Sequence, residues 1–360
     1  MTLAIYGAQG VAKGYYQAIK YIYPYYNIKY FIVTNLNGNP QHVDNVPVVE
    51  LKMLAQKLTE VEKRKIRIFI ATPENVMNII EDSLDNEGFF NHIRITSMLW
   101  ADMVACMHYY KKDIKLLGQY SVGSNKANIH LFMAKHLKDK RLEAHYRLPE
   151  WITPIQVGAA LCDDRVANMV DCDGDNISYK NVNYSELTAL YWIWKNRINI
   201  CSLKNKEYYG IVHYRRILEL SDDDILRLSD NDIDVVLPYP MPYEPDIEMH
   251  HKRYVADKDW EVVLDVLKRK QPEYYDMSDK IFKQEYLYNY NIILAKSDVL
   301  ADYCEWLFPL LEEIEKTTVP SGNERQDRYI GYIAETLETL YFMVNADRLN
   351  IVHTGCRFLV

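Results

Sequence analysis

Tyr208-Tyr-Gly-Ile-Val-His213-Tyr214-Arg215-Arg216-Ile-Leu218 is the stretch on which the fold reading turns. Apolar residues run to Val212, a histidine, a tyrosine and two arginines interrupt, and Ile217 and Leu218 resume the apolar pattern. A short apolar run bounded in this way reads as a buried strand. Its polar end then lies at the carboxyl edge of a sheet, where open α/β folds hold their ligands. Two guanidiniums at such an edge need an anion, and phosphate or diphosphate matches arginine bidentately. The plainer alternative is a pair of surface arginines bonded to nearby carboxylates.

The 360 residues exceed what one core usually organises, so two domains are expected. With 49% hydrophobic and 26% charged residues the composition is that of an ordinary globular protein. Thirty tyrosines are too many for one site, so most must be half-buried surface. A net charge of -8 argues against nucleic-acid binding across the surface. The segment Lys126–Arg147 is a basic exception, suited to a localised anion, to an anionic membrane surface or simply to solvent. Six cysteines without a C-x-x-C spacing read as reduced thiols of a cytoplasmic protein. No signal peptide is evident, and no apolar run approaches the roughly 18 residues of a membrane span, so membrane contact would be peripheral.

Thr2–Tyr6 reads as a strand that meets a glycine-bearing turn, Gly7, Gly10, Lys13 and Gly14, with a helix from Tyr15 to about Tyr21. Further strands are expected at 29–34, 65–71 and 92–99, with helices at 74–84 and 101–111. Strands alternating with helices imply a parallel, doubly wound sheet. The spacing G-x-x-G-x-x-x-G is not the dinucleotide fingerprint, and Asn35 stands where a ribose-binding acid belongs. The segment is similar to the Rossmann-like domain that heads bacterial sugar acyltransferases. Gly7, Gly10 and Lys13 match its turn in part, which would make Gly7, Gly10, Lys13 and Gly14 a nucleotide loop; the alternative is a tight strand-to-helix turn with no ligand.

Lys112–Asn128 mixes charge with glycine and serine and reads as the linker between a first domain, 1–120, and a second, 125–360. In the second, Ile129–Ala134 is a strand ending in Lys135 and His136. Acids at 171, 173 and 175 suggest a calcium loop, but Gly174 comes too early and position 182 is Val, so a polar substrate-contacting loop fits better. Asn183 and Glu186 make a capping-box pattern for a helix bearing Leu187, Leu190, Tyr191 and Trp194. Asp232-Ile-Asp234 is a D-x-D within an acidic stretch. Residues 286–295 read as a strand carrying Asn289 and Asn291 at period two. Ser297 caps a long helix, and Asn323–Phe342 is the last one, with Arg328 and Glu335 on one face.

In order along the chain, Pro154–Leu161, Gly174–Ser178, Tyr184–Lys195, His213-Tyr-Arg-Arg216, Tyr288–Asn291, Tyr303–Pro309 and Gln326–Glu335 make a set. That set resembles a bacterial capsular-polysaccharide and O-antigen glycosyltransferase family, long catalogued as a domain of unknown function. The resemblance implies a GT-A-like α/β domain that uses a nucleotide-diphospho-sugar, UDP-linked above all, and a polyprenyl-diphosphate-linked glycan acceptor at the inner face of the plasma membrane. It places Ala134, Lys135, His136, Asp175, Asn176, Tyr214, Arg215, Arg216, Asn289 and Asn291 at the donor. His213 and a base, Glu335 or Asp327, would be catalytic. Mn2+ or Mg2+ stays open, because arginines stand where such enzymes keep a D-x-D. The alternative is a nucleotide-dependent oxidoreductase or acyltransferase working through Gly7–Gly14.

Overall fold

The computed structural model of the chain describes residues 2–142, 146–198, 207–319, 325 and 327–360. His145, Cys201, Gln326 and the expected helix start at Asn323 lie outside them. Two α/β sheets organise the described residues, as the alternating pattern predicts.

The first sheet holds β1 (Thr2–Tyr6), β2 (Ile28–Val33), β3 (His42–Val43), β4 (Val46–Glu50), β5 (Ile66–Ile70) and β6 (His92–Arg94), in the order β3-β4-β2-β1-β5-β6. All neighbours are parallel except the β3–β4 hairpin. Parallel strands are joined by helices that cover both faces, so β1 is buried without alternation from Leu3 to Tyr6. The order reverses around β1, which puts the ends of β1, β2 and β5 at the switch point where such sheets open a crevice. The first helix, Gly10–Ile22, begins five residues earlier than expected, so the glycine turn shrinks to Gly7–Gln9. Gly7 has φ +115°, and a Cβ there would lie 2.6 Å from the Ala71 carbonyl oxygen, which explains the glycine. Gly14 is not part of any loop. It lies inside the helix, where Trp100 crosses so closely that a Cβ would come within 2.9 Å of the indole. The fourth strand stops at Arg94, and the helix Ser97–Lys111 replaces its expected end.

The second part contains β7 (Ile129–Lys135), β8 (Ile152–Gln156), β9 (Met169–Val170), β10 (Tyr208–His213), β11 (Arg216–Leu218), β12 (Val235–Pro238), β13 (Met241–Pro242), β14 (Tyr286–Leu287), β15 (Ile293–Lys296), β16 (Ile351–Thr354) and β17 (Cys356–Phe358). Its sheet runs β16-β12-β15-β10-β7-β8-β9, with β11 pairing β10 and β17 to one side. The mixed directions come from β15, which is antiparallel to both β10 and β12. Gly210 is required at the β10–β15 crossing, because a Cβ would run into the Ile293 carbonyl oxygen. The expected strand 286–295 is broken. Tyr290 (φ 76°) and Asn291 (φ 51°) form a left-handed turn between β14 and β15. The Asn183 capping box is also corrected: a short helix, Asn181–Tyr184, ends at Ser185 (φ 51°), and the next helix, Leu187–Asn196, starts without a side-chain cap.

The two sheets are not separately packed. Met241, Tyr243, Ile247 and Leu287, around the β13–β14 pair, belong to the same buried cluster as Ile5, Tyr16 and Trp100. Lys13 sits at that seam, 3% exposed. Its ammonium donates to the Tyr243 carbonyl at 2.8 Å and pairs with Glu244 at 2.6 Å and Glu285 at 2.8 Å. The lysine of the expected nucleotide loop is therefore committed to the second part of the chain. A buried cation with two carboxylates is costly to break, because both acids then lack a counter-charge. Lys13→Met is expected to lower the unfolding free energy by roughly 2–4 kcal/mol, below the usual upper range because both acids touch water. Urea unfolding followed by circular dichroism would read it, and an unchanged midpoint would show that the seam does not depend on this lysine.

Candidate active site

β10 ends at His213, Tyr214 and Arg215 make a two-residue turn, and Arg216 opens β11 opposite His213. The hairpin holds the two arginines at the end of the strand, where β7 also ends in Lys135 and His136. The Arg215 Nε donates to the Tyr214 hydroxyl at 2.6 Å. The Arg216 guanidinium lies 4.2 Å from the centre of the Tyr290 ring and 5.1 Å from that of Phe358. Aromatic faces hold a guanidinium in place without neutralising it. Among the described residues, no carboxylate lies within ion-pairing distance of Arg215, Arg216 or Arg328. The surface-arginine alternative, with nearby acids as partners, is thus not what the structure shows.

Carboxylates gather behind these cations. Glu186 freed from capping accepts a hydrogen bond from Asn291 Nδ2 at 2.6 Å and lies 3.9 Å from His213 Nε2. Asn291 also donates to the Gly331 carbonyl at 3.2 Å, which ties the left-handed turn to the last helix, Tyr329–Val344. Two consecutive non-glycine residues with positive φ store strain, which persists where surrounding contacts over-determine it. That helix carries Glu335. Burial, then the Glu186 charge, pushes the Glu335 carboxyl up to about 8, while Arg216, the Tyr290 backbone and Arg328 pull it part of the way back. Glu338, one turn on, is 1% exposed with neither oxygen hydrogen-bonded among the described residues, and burial holds its carboxyl well above the usual range, so it stays protonated. Burial lowers His213, partly offset by Glu186, and its Nε2 has no hydrogen-bond partner among the described residues. The imidazole is therefore neutral at pH 7.

Arg328 Nε donates to Ser185 Oγ at 3.0 Å. Its charge acts on His136, Asp139, His213 and Glu335 alike, which places it at the centre of the group. His136, half-buried, is lowered by burial and by the cations Lys138 and Arg328.

The structure thus brings His213, Arg216, Asn291 and Glu335 together, with Lys135, His136, Tyr214 and Arg215 at the same sheet edge. Ala134, buried, pairs in register with His213. The other expected residues are engaged elsewhere. Asp327 pairs with Arg325 at 2.8 Å, and Arg325 pairs in turn with buried Asp259. Asp175 accepts from the Tyr191 hydroxyl at 3.2 Å, and Asn176 Nδ2 bonds the carbonyls of its own loop at Cys172 and Gly174. Asp171 is wholly buried and accepts from Gly158 and Ala159 amides and the Ser178 and Thr188 hydroxyls, a structural role. Asn289 donates to the Tyr243 hydroxyl at 2.6 Å. Gly7 and Gly10 line a cavity at the edge of the first sheet, and Gly14 lies inside the helix.

Three site residues were missed in the sequence. Glu186 was read as a cap, Arg328 as part of a polar helix start, and Tyr290 as a strand residue. Only the Arg328–Glu335 spacing hinted at their association. A divalent ion does not fit the D-x-D: Asp234 pairs with buried Lys296 at 2.8 Å, and Asp232 pairs with the same ammonium. Among the described residues, no three His, Cys, Asp or Glu side chains are grouped to hold a metal. No helix among them is long and apolar enough to cross a membrane.

A family model described as "Domain of unknown function (DUF4422)" matches residues 131–346. A solved structure described as the apo form of the WbbM bifunctional glycosyltransferase is similar in fold, with a TM-score of 0.56 and 24% identity. The match covers 64% of this chain and 45% of that one, so it spans less than half of the larger protein. No curated protein matches the chain.

The Glu335 carboxyl makes a pH test. Its ordinary value is 4.5 and its folded value about 8, so the folded state holds the proton more tightly than the unfolded chain. The stability it contributes is full below pH 4.5 and fades as pH rises through about 8. Glu335→Gln, which cannot ionise, should gain stability relative to the parent across that window in urea titrations at several pH values. A constant difference between the two would show that Glu335 is not held protonated.

Proposed function

The chain belongs to the family described as Domain of unknown function (DUF4422), and from the geometry of its site we propose that it is a glycosyltransferase. One observation carries the reading: three arginines without carboxylate partners among the described residues stand beside a carboxyl poised near neutrality. A diphosphate supplies the missing charge, because a guanidinium fork pairs two of its oxygens at once. The donor is a nucleotide-diphospho-sugar, UDP-linked, lying across Arg215, Arg216 and Arg328, with Ala134, Lys135 and His136 on its nucleoside side. The fold likeness to a bifunctional glycosyltransferase chain supports this.

In the transfer, the bond between the sugar C1 and the diphosphate oxygen breaks, and its electron pair leaves with the nucleoside diphosphate. The guanidiniums neutralise that developing charge, commonly a large catalytic contribution. The acceptor hydroxyl forms the new bond to C1 and passes its proton to Glu335 as carboxylate. Glu186 and Asn291 fix the turn that carries Tyr290 and, through it, the Arg216 side chain. The D-x-D acids are held by Lys296, so no step is routed through a metal. The finer reading is a hexosyl unit of galactose type, as pyranose or furanose, moved to a polyprenyl-diphosphate-linked glycan in capsule or O-antigen synthesis. The protein would work in the cytoplasm at the inner face of the membrane, with 1–120 and 125–360 as its two domains.

Arg216→Ala should lower kcat/KM by about 10²–10³-fold while circular dichroism stays unchanged. Arg216→Lys should recover little, because an ammonium cannot reproduce the fork. Full activity in Arg216→Ala removes the diphosphate role. Purified protein that neither binds nor hydrolyses any UDP-, GDP- or dTDP-sugar sinks the whole reading. The rate should climb with pH through about 8 as Glu335 loses its proton, and Glu335→Gln should be slow at every pH.

A further inference from the structure

A cavity of about 380 Å³ lies between the carboxyl edge of the first sheet and the second part of the chain. Its walls include Thr34, Asn35 and Thr72 from the ends of β2 and β5, facing Tyr243, Tyr254 and Tyr290. A smaller cavity of about 80 Å³ shares Thr72 and Tyr290 with it and reaches Arg216. The Tyr290 ring is the one on which Arg216 rests, and Tyr254 stacks at 4.5 Å on Tyr332, three residues before Glu335. The cavity therefore lies beside the acid and arginine cluster, with Tyr290 between them, and residues of the first sheet complete it.

The chemistry of the walls selects the ligand. Among the described residues no lysine or arginine lines the larger cavity, and burial, helped by Arg253 nearby, holds its His250 neutral, lowered to about 3. Lys13, the cation nearest in sequence to the glycine turn, is committed to Glu244 and Glu285. A phosphate or nucleotide diphosphate would find a single guanidinium at the rim, Arg253, already bonded to Gln9. Flat tyrosine faces beside amides and hydroxyls instead match a sugar ring, whose C–H face is apolar and whose rim is a set of hydroxyls. The Thr72 hydroxyl is shielded from water and has no hydrogen-bond partner among the described residues. Such a group is costly to leave unmade and is satisfied by a ligand hydroxyl.

We propose that this cavity is the acceptor-sugar subsite, so that the first sheet presents the glycan whose hydroxyl is glycosylated at Glu335. This rests on the transferase reading above and adds the place where the second substrate binds. The volume lies within the usual range for small-molecule sites and suits one or two hexose units.

The test uses the full chain with Thr72→Val, which keeps the side-chain shape, and Asn35→Ala on an exposed loop. The probes are methyl α- and β-D-galactopyranoside and glucopyranoside, with UDP as the competitor. Saturation-transfer NMR should show at least one glycoside bound, with both variants weakening it by about tenfold, the size of one lost hydrogen bond. UDP should leave the glycoside signal in place. Displacement by UDP, weaker UDP binding in the variants, or no glycoside binding would overturn the subsite. A parent protein without any donor hydrolysis, yet with variant-sensitive glycoside binding, would instead overturn the transferase reading and leave the sugar site standing.

Discussion

The structure depends on a charge imbalance held out of water. Glu186, Glu335 and Glu338 crowd behind the end of β10, and Arg216 and Arg328 face them without closing to ion-pair distance. Burial first, and then the charges of the neighbouring carboxylates, push the carboxyls of Glu335 and Glu338 up, so they take up protons. The arginines keep their charge, since a guanidinium does not give up its proton in proteins. What results is a positive rim over a protonated acid bed.

The backbone is shaped to maintain that arrangement. Tyr290 adopts a left-handed conformation that a tyrosine disfavours, next to Asn291, whose residue type tolerates one, and the turn is tied down because Asn291 bridges Glu186 to the Gly331 carbonyl. The same turn aims the Tyr290 ring under Arg216 and toward the cavity of the first sheet. One strained dipeptide thus couples the cation rim, the carboxyl pair and the seam between the sheets. Lys13 fastens the seam from the other side, which explains why a lysine beside a glycine turn is spent on Glu244 and Glu285 instead of on a ligand.

Much of this could be read in the chain itself. Alternating apolar strands and helices specify an α/β protein, and the break in apolar character at His213 marks the sheet edge correctly, because burial follows residue type locally. The spacing of Arg328 and Glu335 suggests one helix face, but the helix begins at Tyr329 and Arg328 precedes it in a left-handed conformation (φ 60°). Local signals fail where distant partners compete for a side chain. Glu186 has the position of a helix cap, yet Asn291, 105 residues away, takes its carboxylate. Asp232 and Asp234 look like a metal pair until Lys296 claims them.

Sequence by itself determined the two sheets, the burial of β1 and β10 and the placing of two arginines at a strand end, since these follow from hydrophobic period and from glycine where no Cβ fits. Tertiary structure alone decided which charges remain unpartnered. That depends on distances between segments far apart in the chain, and no pattern of neighbours along a sequence encodes them.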